Sequence, residues 1–393
     1  MKILVVHNRY LERGGEDEVV RSEINMLKQL GHRVIFYERS NEEIKQFSLL
    51  ERIIFLTSDI FWSRKTYREI KEIIRRERPD IAHIHNIFLA VSPSVYDALN
   101  EEGIPVVKTL HNYRFICPNG LFFNNGQICE KCMQGNFIPA LINRCCRGSF
   151  FYTSIIVGIL KMYLNSGKLH KKINSYIAIS QFSRNKFIKA GFPTDKLFLK
   201  PNFVDLPFKA REDFENYAVF IGRLVEYKGI YTLLEAYKQL DGYPLKIIGD
   251  GPLFSKLQKM TRGMSHVELL GRLPWEETIR YLRRASFLIY LSECYETFSR
   301  TIIESLACGV PTVASDIGAA HEIIQDYLNG LLFKPKDVSD LIDKIKRLYS
   351  NKGLLLDMSK NARMAYEEKY SLRRNYDLLM DIYKRTLQNS KIA

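Results

Sequence analysis

Short apolar runs, each followed by a turn and then an amphipathic helical segment, recur along this chain, and this alternation restricts the fold more than any other feature. A strand that reads as a continuous apolar run is buried on both faces, and strands alternating with helices demand a parallel sheet covered on both sides. Lys2–His7 opens the series with Ile3-Leu4-Val5-Val6. Glu16–Leu30 follows as a helix that Gly31 ends, a glycine being suited to the left-handed position after a helix. Val34–Tyr37, Asp80–His85, Val106–His111 and Tyr176–Ser180 read as further strands. A second series starts after Lys200-Pro201-Asn202, with strands at Ala218–Ile221, Leu245–Ile248, Val267–Leu270, Phe287–Leu291, Thr312–Ala314 and Gly330–Phe333. Helical patterns at Ile230–Leu240, Leu253–Lys259, Trp275–Arg284, Arg300–Ala307 and Val338–Tyr349 separate them.

The fold expected is α/β, with two doubly wound Rossmann-like domains facing across a cleft and ligands at the carboxyl ends of the strands. The boundary falls at Pro201–Pro207, giving domains over 1–202 and 203–371. Residues 372–393 form a C-terminal helix, helical by pattern over Leu372–Leu387, expected near that boundary. A chain of 393 residues, 46% hydrophobic, suffices for two cores.

The apolar run after Met1 is too short for a secretory leader, and the longest apolar stretch, Phe150 to Leu164, is broken by Thr153, Ser154, Gly158 and Lys161. A cytoplasmic protein is expected, peripheral at most on the inner face of the cell membrane. The net charge of +14 is uneven: residues 1–200 hold 30 Lys and Arg against 19 Asp and Glu, while residues 201–393 hold 28 against 25. Such an excess favours an anionic partner on the first half. Basic motifs interleaved with aromatics are missing, which argues against nucleic acid.

The most specific chemistry lies between Glu293 and Asp316. If a helix starts near Ser299, Glu296 sits in the loop before it and Glu304 on the helix, facing the cleft. The N–H groups of Phe298, Ser299 and Arg300 then form an anion site beside Thr297, suited to a phosphate. Arg223 and Lys228, after a strand end in Gly222-Arg223-Leu224 and Lys228-Gly229, supply fixed cations: a planar fork and a point charge. Negative charge that builds on a departing diphosphate can be stabilised by such cations without a metal. Gly14-Gly15 after the first strand leaves room for close backbone approach. Neither a G-x-G-x-x-G nor an Asp-x-Asp sequence follows a strand, so no catalytic metal is expected.

The segment resembles the Glu-x7-Glu motif of retaining glycosyltransferases of the GT-B fold, in the large family four. Gly222-Arg223-Leu224 with Lys228-Gly229, Gly249-Asp250-Gly251-Pro252, Pro201-Asn202 with Val204-Asp205, Gly14-Gly15-Glu16 and Thr109-Leu110-His111-Asn112 match further blocks of that family in order, over nearly the whole chain. The resemblance implies a hexosyl transfer from a UDP- or GDP-sugar to a glycan or lipid-linked acceptor, as in cell-surface polysaccharide or lipid-linked glycan synthesis. It implies that Glu304 accepts from the ribose hydroxyls, that Glu296 orients the sugar, that His111 lies near the transferred sugar, and that the backbone at Arg272-Leu273 holds the base. Gly15 comes close to the donor. Where the family often has glycines, this chain has Thr297 and Ser299. The competing readings are a nucleotide-sugar epimerase or a phosphorylase on the same fold, the latter requiring a pyridoxal-phosphate lysine for which no convincing site is present, and a basic nucleic-acid-binding protein.

Five of the seven cysteines fall within residues 117–146. Cys129 and Cys132 form a C-x2-C pair which, with Cys117 and either Cys145 or Cys146, suits a structural zinc; unligated thiols are the alternative, and disulfides suit a cytosolic chain less. Phe150–Lys172, with Lys161, Lys168, His170, Lys171 and Lys172, suits either a buried helix of the first domain or an interfacial helix on acidic lipid.

Overall fold

The computed structural model describes residues 1–11, 14–165, 167–206, 210–211 and 213–390, without the side chains of Tyr163, Asn165 and Lys168. The Pro207 end of the expected boundary and the Lys168 side chain therefore lie outside the described residues. The strands in chain order are β1 Lys2–Arg9, β2 Arg33–Ser40, β3 Ile81–Ile84, β4 Val106–Leu110, β5 Phe123–Asn124, β6 Gln127–Ile128, β7 Ser175–Ala178 and β8 Leu197–Leu199. They continue with β9 Ala218–Ile221, β10 Leu245–Ile248, β11 Val267–Gly271, β12 Phe287–Tyr290, β13 Thr312–Ser315 and β14 Gly330–Phe333.

By its contacts the chain forms two units, one of Met1–Gly120, Glu130–Asn202 and Leu372–Ala393, the other of Leu121–Cys129 and Phe203–Ser371. In the first, a parallel sheet runs β2-β1-β3-β4-β7-β8. Strand order reverses between β1 and β3, so their carboxyl ends frame the crevice where such sheets take ligands. Ile3 to Val6 are fully buried at the centre of this sheet. The C-terminal helix Leu372–Ser390 belongs to this unit: the Tyr383 hydroxyl lies 2.8 Å from His83 Nδ1, and Thr386 Oγ1 2.7 Å from Ser175 Oγ. The helix Phe150–Leu160 buries Thr153 and Ile155–Val157 but leaves Phe150, Phe151 and Tyr152 exposed. No helix of the described residues is long and apolar enough to cross a membrane.

The second unit has a parallel sheet in the order β11-β10-β9-β12-β13-β14, with its switch point between β9 and β12. Both chain segments leaving that point carry residues singled out in the sequence. Leu233, Leu234, Ile247, Ile289 and Leu331 are among the fully buried residues of its core. The helix Lys352–Lys369, which the strand–helix alternation did not predict, packs near Arg300–Cys308 through the Arg363 guanidinium, which donates to the Ala307 carbonyl. The ribbon β5–β6 groups with this unit rather than with the first domain, where the sequence reading placed the whole 117–146 loop. Its Phe122 and Phe123 rings lie 6.4 Å from Tyr295 and 6.3 Å from Tyr227.

Candidate active site

In the second unit, β9 delivers Gly222 and Arg223 to the carboxyl edge of the sheet. The loop after β10 presses against them: a Cβ on Gly249, at φ +149°, would lie 1.9 Å from the Gly222 carbonyl oxygen, so only glycine fits. Gly229 is equally constrained, since at φ +69° a Cβ would lie 2.1 Å from the Leu291 carbonyl oxygen. It caps the turn Glu226–Lys228 and starts the helix Ile230–Tyr237 hard against the end of β12. The Glu293 N–H donates to the Tyr227 carbonyl at 2.8 Å, tying the two switch-point segments together.

This packing brings Lys228 and Glu296 into contact. Lys228 Nζ donates to Glu296 Oε1 at 2.6 Å, and Ser292 Oγ donates to the same oxygen at 3.2 Å. Burial works against the ammonium, but the Glu296 carboxylate and the Tyr290 ring beside it outweigh burial and hold Lys228 charged well above the ordinary lysine range. Sequence reading gave these two residues separate duties and did not pair them. Gly318, at φ +61°, packs a second loop against Glu296, whose carbonyl accepts from Ala319 N–H at 3.3 Å. Ser299 is the N-cap of Arg300–Cys308, with Oγ accepting from Ile302 N–H at 3.3 Å. The N–H groups of Phe298, Ser299 and Arg300 precede the first intrahelical bond, as the sequence implied. Thr297, Phe298 and Ser299 are buried.

Glu304 is buried, with Oε1 accepting from Trp275 Nε1 at 3.0 Å and from Arg300 Nε at 2.9 Å. That oxygen is thus already held by two neighbours on the chain. Arg223 and Arg272 are exposed and Leu273 half-buried; Leu273 packs against the core beneath β11.

The first unit assembles a second cluster at the ends of β1, β3 and β4. Gly14 N–H donates to Asp17 Oδ2 at 2.9 Å, and Asp17 Oδ1 lies 2.8 Å from His7 Nε2. A Cβ on Gly14 or Gly15 would meet nothing within 4 Å, so this turn is open. His111 lies edge to edge with His85, the rings 22° apart, with His111 Nε2 2.9 Å from His85 Nδ1. Burial pushes His111 well below the ordinary histidine range, and neighbouring His85 and Lys108 add to it. Burial likewise holds His85 down to about 3, and lowers buried Lys108 to about 8 while Glu16 opposes. Glu16 is pushed up to about 7 by burial, against the pull of His7 and Lys108. Perturbed groups of this kind concentrate where charge is handled. Glu23, His83 and His85 meet beneath them, all buried and with ligand-type atoms within 4.8 Å of one another. Sequence reading missed this cluster apart from His111 and the Gly14-Gly15 turn; its one local signal was His83-x-His85 at a strand end.

The cysteines of the 117–146 loop fall in both units. Among the described residues, no three of Cys117, Cys132, Cys145 and Cys146 offer sulfurs within 4.8 Å, and Cys129 groups with the second unit. Cys117 Sγ donates to Asn119 Oδ1 at 3.0 Å; Cys132 and Cys146 are buried in an apolar cluster with Phe88, Phe137 and Ile156.

Two Rossmann-like sheets, each with polar side chains gathered at its switch point, define a GT-B-type α/β protein. A model of the glycosyl transferases group 1 matches residues 205–365, and a model of glycosyltransferase family 4 matches residues 13–208. The chain belongs to the group 1 glycosyltransferases and is a transferase enzyme. It is 26% identical over 94% of its length to an uncharacterised glycosyltransferase of Methanocaldococcus jannaschii, 94% of which is covered. The O-antigen chain mannosyltransferase C of Escherichia coli is 26% identical over 44% of this chain and 48% of its own. An Anabaena protein solved in complex with UDP and glucose has the same fold, at TM-score 0.65 and 17% identity over 98% of this chain and 99% of that one.

Proposed function

We propose that the enzyme transfers a hexose with retention from a UDP- or GDP-sugar to a glycan or lipid-linked acceptor, in cell-surface polysaccharide or related glycan synthesis. The observation that carries the donor assignment is the Lys228–Glu296 contact at the switch point of the second sheet, beside Arg223 and ahead of the helix capped by Ser299. Lys228 and Arg223 receive the diphosphate, the N–H groups of 298–300 add to the anion site, and Glu296, released from Lys228, orients sugar hydroxyls. Glu304 keeps Trp275 and Arg300 on one oxygen and offers the other to the ribose, while the chain at Arg272-Leu273 borders the base. Gly15 and His111, at the strand ends of the first unit, take part in substrate binding there. The Anabaena protein's UDP and glucose, and the Escherichia coli protein's role as an O-antigen mannosyltransferase, support the donor class and the glycan setting. No catalytic metal enters this reading, and the protein works in the cytoplasm.

Exposed Phe150, Phe151 and Tyr152, with the Arg147 guanidinium over the Tyr152 ring, support a peripheral contact with an acidic membrane face carrying the acceptor. Structural zinc on Cys117, Cys129, Cys132 and Cys145 or Cys146 rests on the C-x2-C spacing.

A thermal-shift screen of nucleotide sugars tests the donor assignment, since a ligand that binds only the native state raises its stability. UDP- or GDP-sugars should raise Tm for the native chain and much less for Arg223→Ala. Stabilisation by oligonucleotides with none by any nucleotide sugar would refute the assignment.

A further inference from the structure

We infer that Glu23 and His85 are positioning residues that fix the tautomer of His111, so that His111 carries its proton on Nε2 and presents Nδ1 as an acceptor. This rests on the proposed role of His111 beside the sugar only for its consequence, not for its geometry.

The chain of contacts is short and buried. Glu23, from the helix Gly15–Gln29, is 2% exposed and His85, at the end of β3, is also 2% exposed. Glu23 Oε2 accepts from Lys200 Nζ at 2.9 Å, and Lys200 is held in turn by Asn375 Oδ1 at 3.0 Å. A carboxylate in direct contact with a buried ammonium stays ionised. Its other oxygen, Oε1, lies 3.3 Å from His85 Nε2 and 2.9 Å from His83 Nδ1. Neither Glu23 Oε1 nor His85 Nε2 makes a hydrogen bond elsewhere, and a buried polar atom left so is destabilising. A proton on His85 Nε2 removes both deficits together; a lone pair there would face a carboxylate.

The consequence passes one ring further. A neutral imidazole has one donor and one acceptor nitrogen. With Nε2 of His85 protonated, its Nδ1 is the acceptor, and the nitrogen 2.9 Å away, His111 Nε2, must donate. His111 Nδ1 is then the unprotonated nitrogen. Such a ring accepts from a sugar hydroxyl, whereas the opposite tautomer would donate towards developing negative charge. The near-parallel rings, 22° apart with centroids at 5.2 Å, suit an in-plane bond between them.

Glu23, His83 and His85 are also close enough to share a metal ion. His83 is already engaged at both nitrogens, by the Tyr383 hydroxyl at 2.8 Å and Thr109 Oγ1 at 2.7 Å. The Lys200 ammonium supplies the positive charge that a metal would otherwise bring, so the cluster functions as a hydrogen-bond network.

The test is nitrogen-15 NMR on the full chain with labelled histidine, the rings being assigned by single replacements. His111 should show a protonated-type Nε2 and an unprotonated-type Nδ1, with His85 protonated at Nε2. The reverse pattern in His111, or a metal-bound shift at His85 Nε2, overturns the inference. In Glu23→Gln, an amide can either donate or accept, so His85 and His111 should lose their single tautomer. His85→Phe serves as a second variant should the first fail to fold, and there His111 should likewise become mixed. An unchanged His111 spectrum in a folded variant would contradict the proposal. A chain that showed the expected spectra but transferred no sugar would sink the functional reading while leaving this network intact.

Discussion

Lys228→Ala separates the stability of the donor site from its chemistry. Lys228 and Glu296 have side chains 23% and 22% exposed and meet at 2.6 Å. Exposed ion pairs contribute about 0–1 kcal/mol, whereas breaking a buried pair costs about 3–5 kcal/mol. A partly exposed pair, discounted for solvent screening, should lie between, at about 1–2 kcal/mol. Replacing Lys228 leaves Glu296 without its cation, so Lys228→Ala should lower Tm, and adding Glu296→Gln should restore part of the loss. Transfer has a different scale: removing one preorganised group that meets developing charge costs about 10²–10³ in kcat. The Lys228→Ala enzyme should therefore lose far more activity than its stability loss explains, at a temperature where it is fully folded. Glu296→Gln alone should keep some activity, because an amide still hydrogen-bonds to sugar hydroxyls. Nucleotide release from a donor sugar, followed beside thermal unfolding of both single variants and the double variant, gives both readouts. Turnover within a few-fold of native in folded Lys228→Ala would refute the assignment of Lys228 to the diphosphate.

Under the proposed reading, in which fixed cations carry the diphosphate, transfer should persist in EDTA; a loss reversed by magnesium or manganese would contradict it. Elemental analysis of protein purified without a chelating tag should find about one zinc per chain if the cysteine set of 117–146 is a metal site, and its absence would leave those cysteines as plain thiols. Glu16, pushed up to about 7, binds a proton in the folded chain that the unfolded chain has already released above about pH 4.5. Its contribution to stability is therefore lost as pH rises from about 4.5 to about 7. Glu16→Gln should remove that fall in a Tm–pH series, and an identical pH dependence in both proteins would show that burial does not act on Glu16 in this way.

Much of the fold was legible because the inner strands are short, wholly apolar and bounded by turn residues. Ala218–Ile221, Leu245–Ile248 and Gly330–Phe333, with the helix Trp275–Arg284, have the limits read from the sequence. Edges were harder. The β2 strand extends to Arg33 and Ser40 because an outer strand needs apolar residues on only one face, and its ends are polar. The three-residue β8 and two-residue β5 and β6 are too short for periodicity to register, although Asn125-Gly126, both at positive φ, is a hairpin turn signal. The helix Lys352–Lys369 buries Leu355, Met358, Ala362 and Tyr366, a helical spacing that could have been found. Motif order singled out Arg223, Lys228, Glu296 and Ser299 as candidates, but not the contact between Lys228 and Glu296, which depends on β9 and β12 being neighbours. The Glu23–His85–Lys200 network was hidden for the same reason: residues 177 positions apart meet only through the strand order.

The anomeric configuration of the first-formed product tests the central claim most directly. Retention through a covalent intermediate needs a carboxylate on the face opposite the leaving group. Glu296 instead lies against the proposed diphosphate cation, Lys228, which places it on the leaving-group side. The proposed mechanism is therefore displacement from the same face as the departing diphosphate, with that diphosphate helping to accept the acceptor's proton. Proton NMR recorded as an α-linked nucleotide sugar is consumed should show an α-linked product before any mutarotation. A β-linked first product would contradict the account.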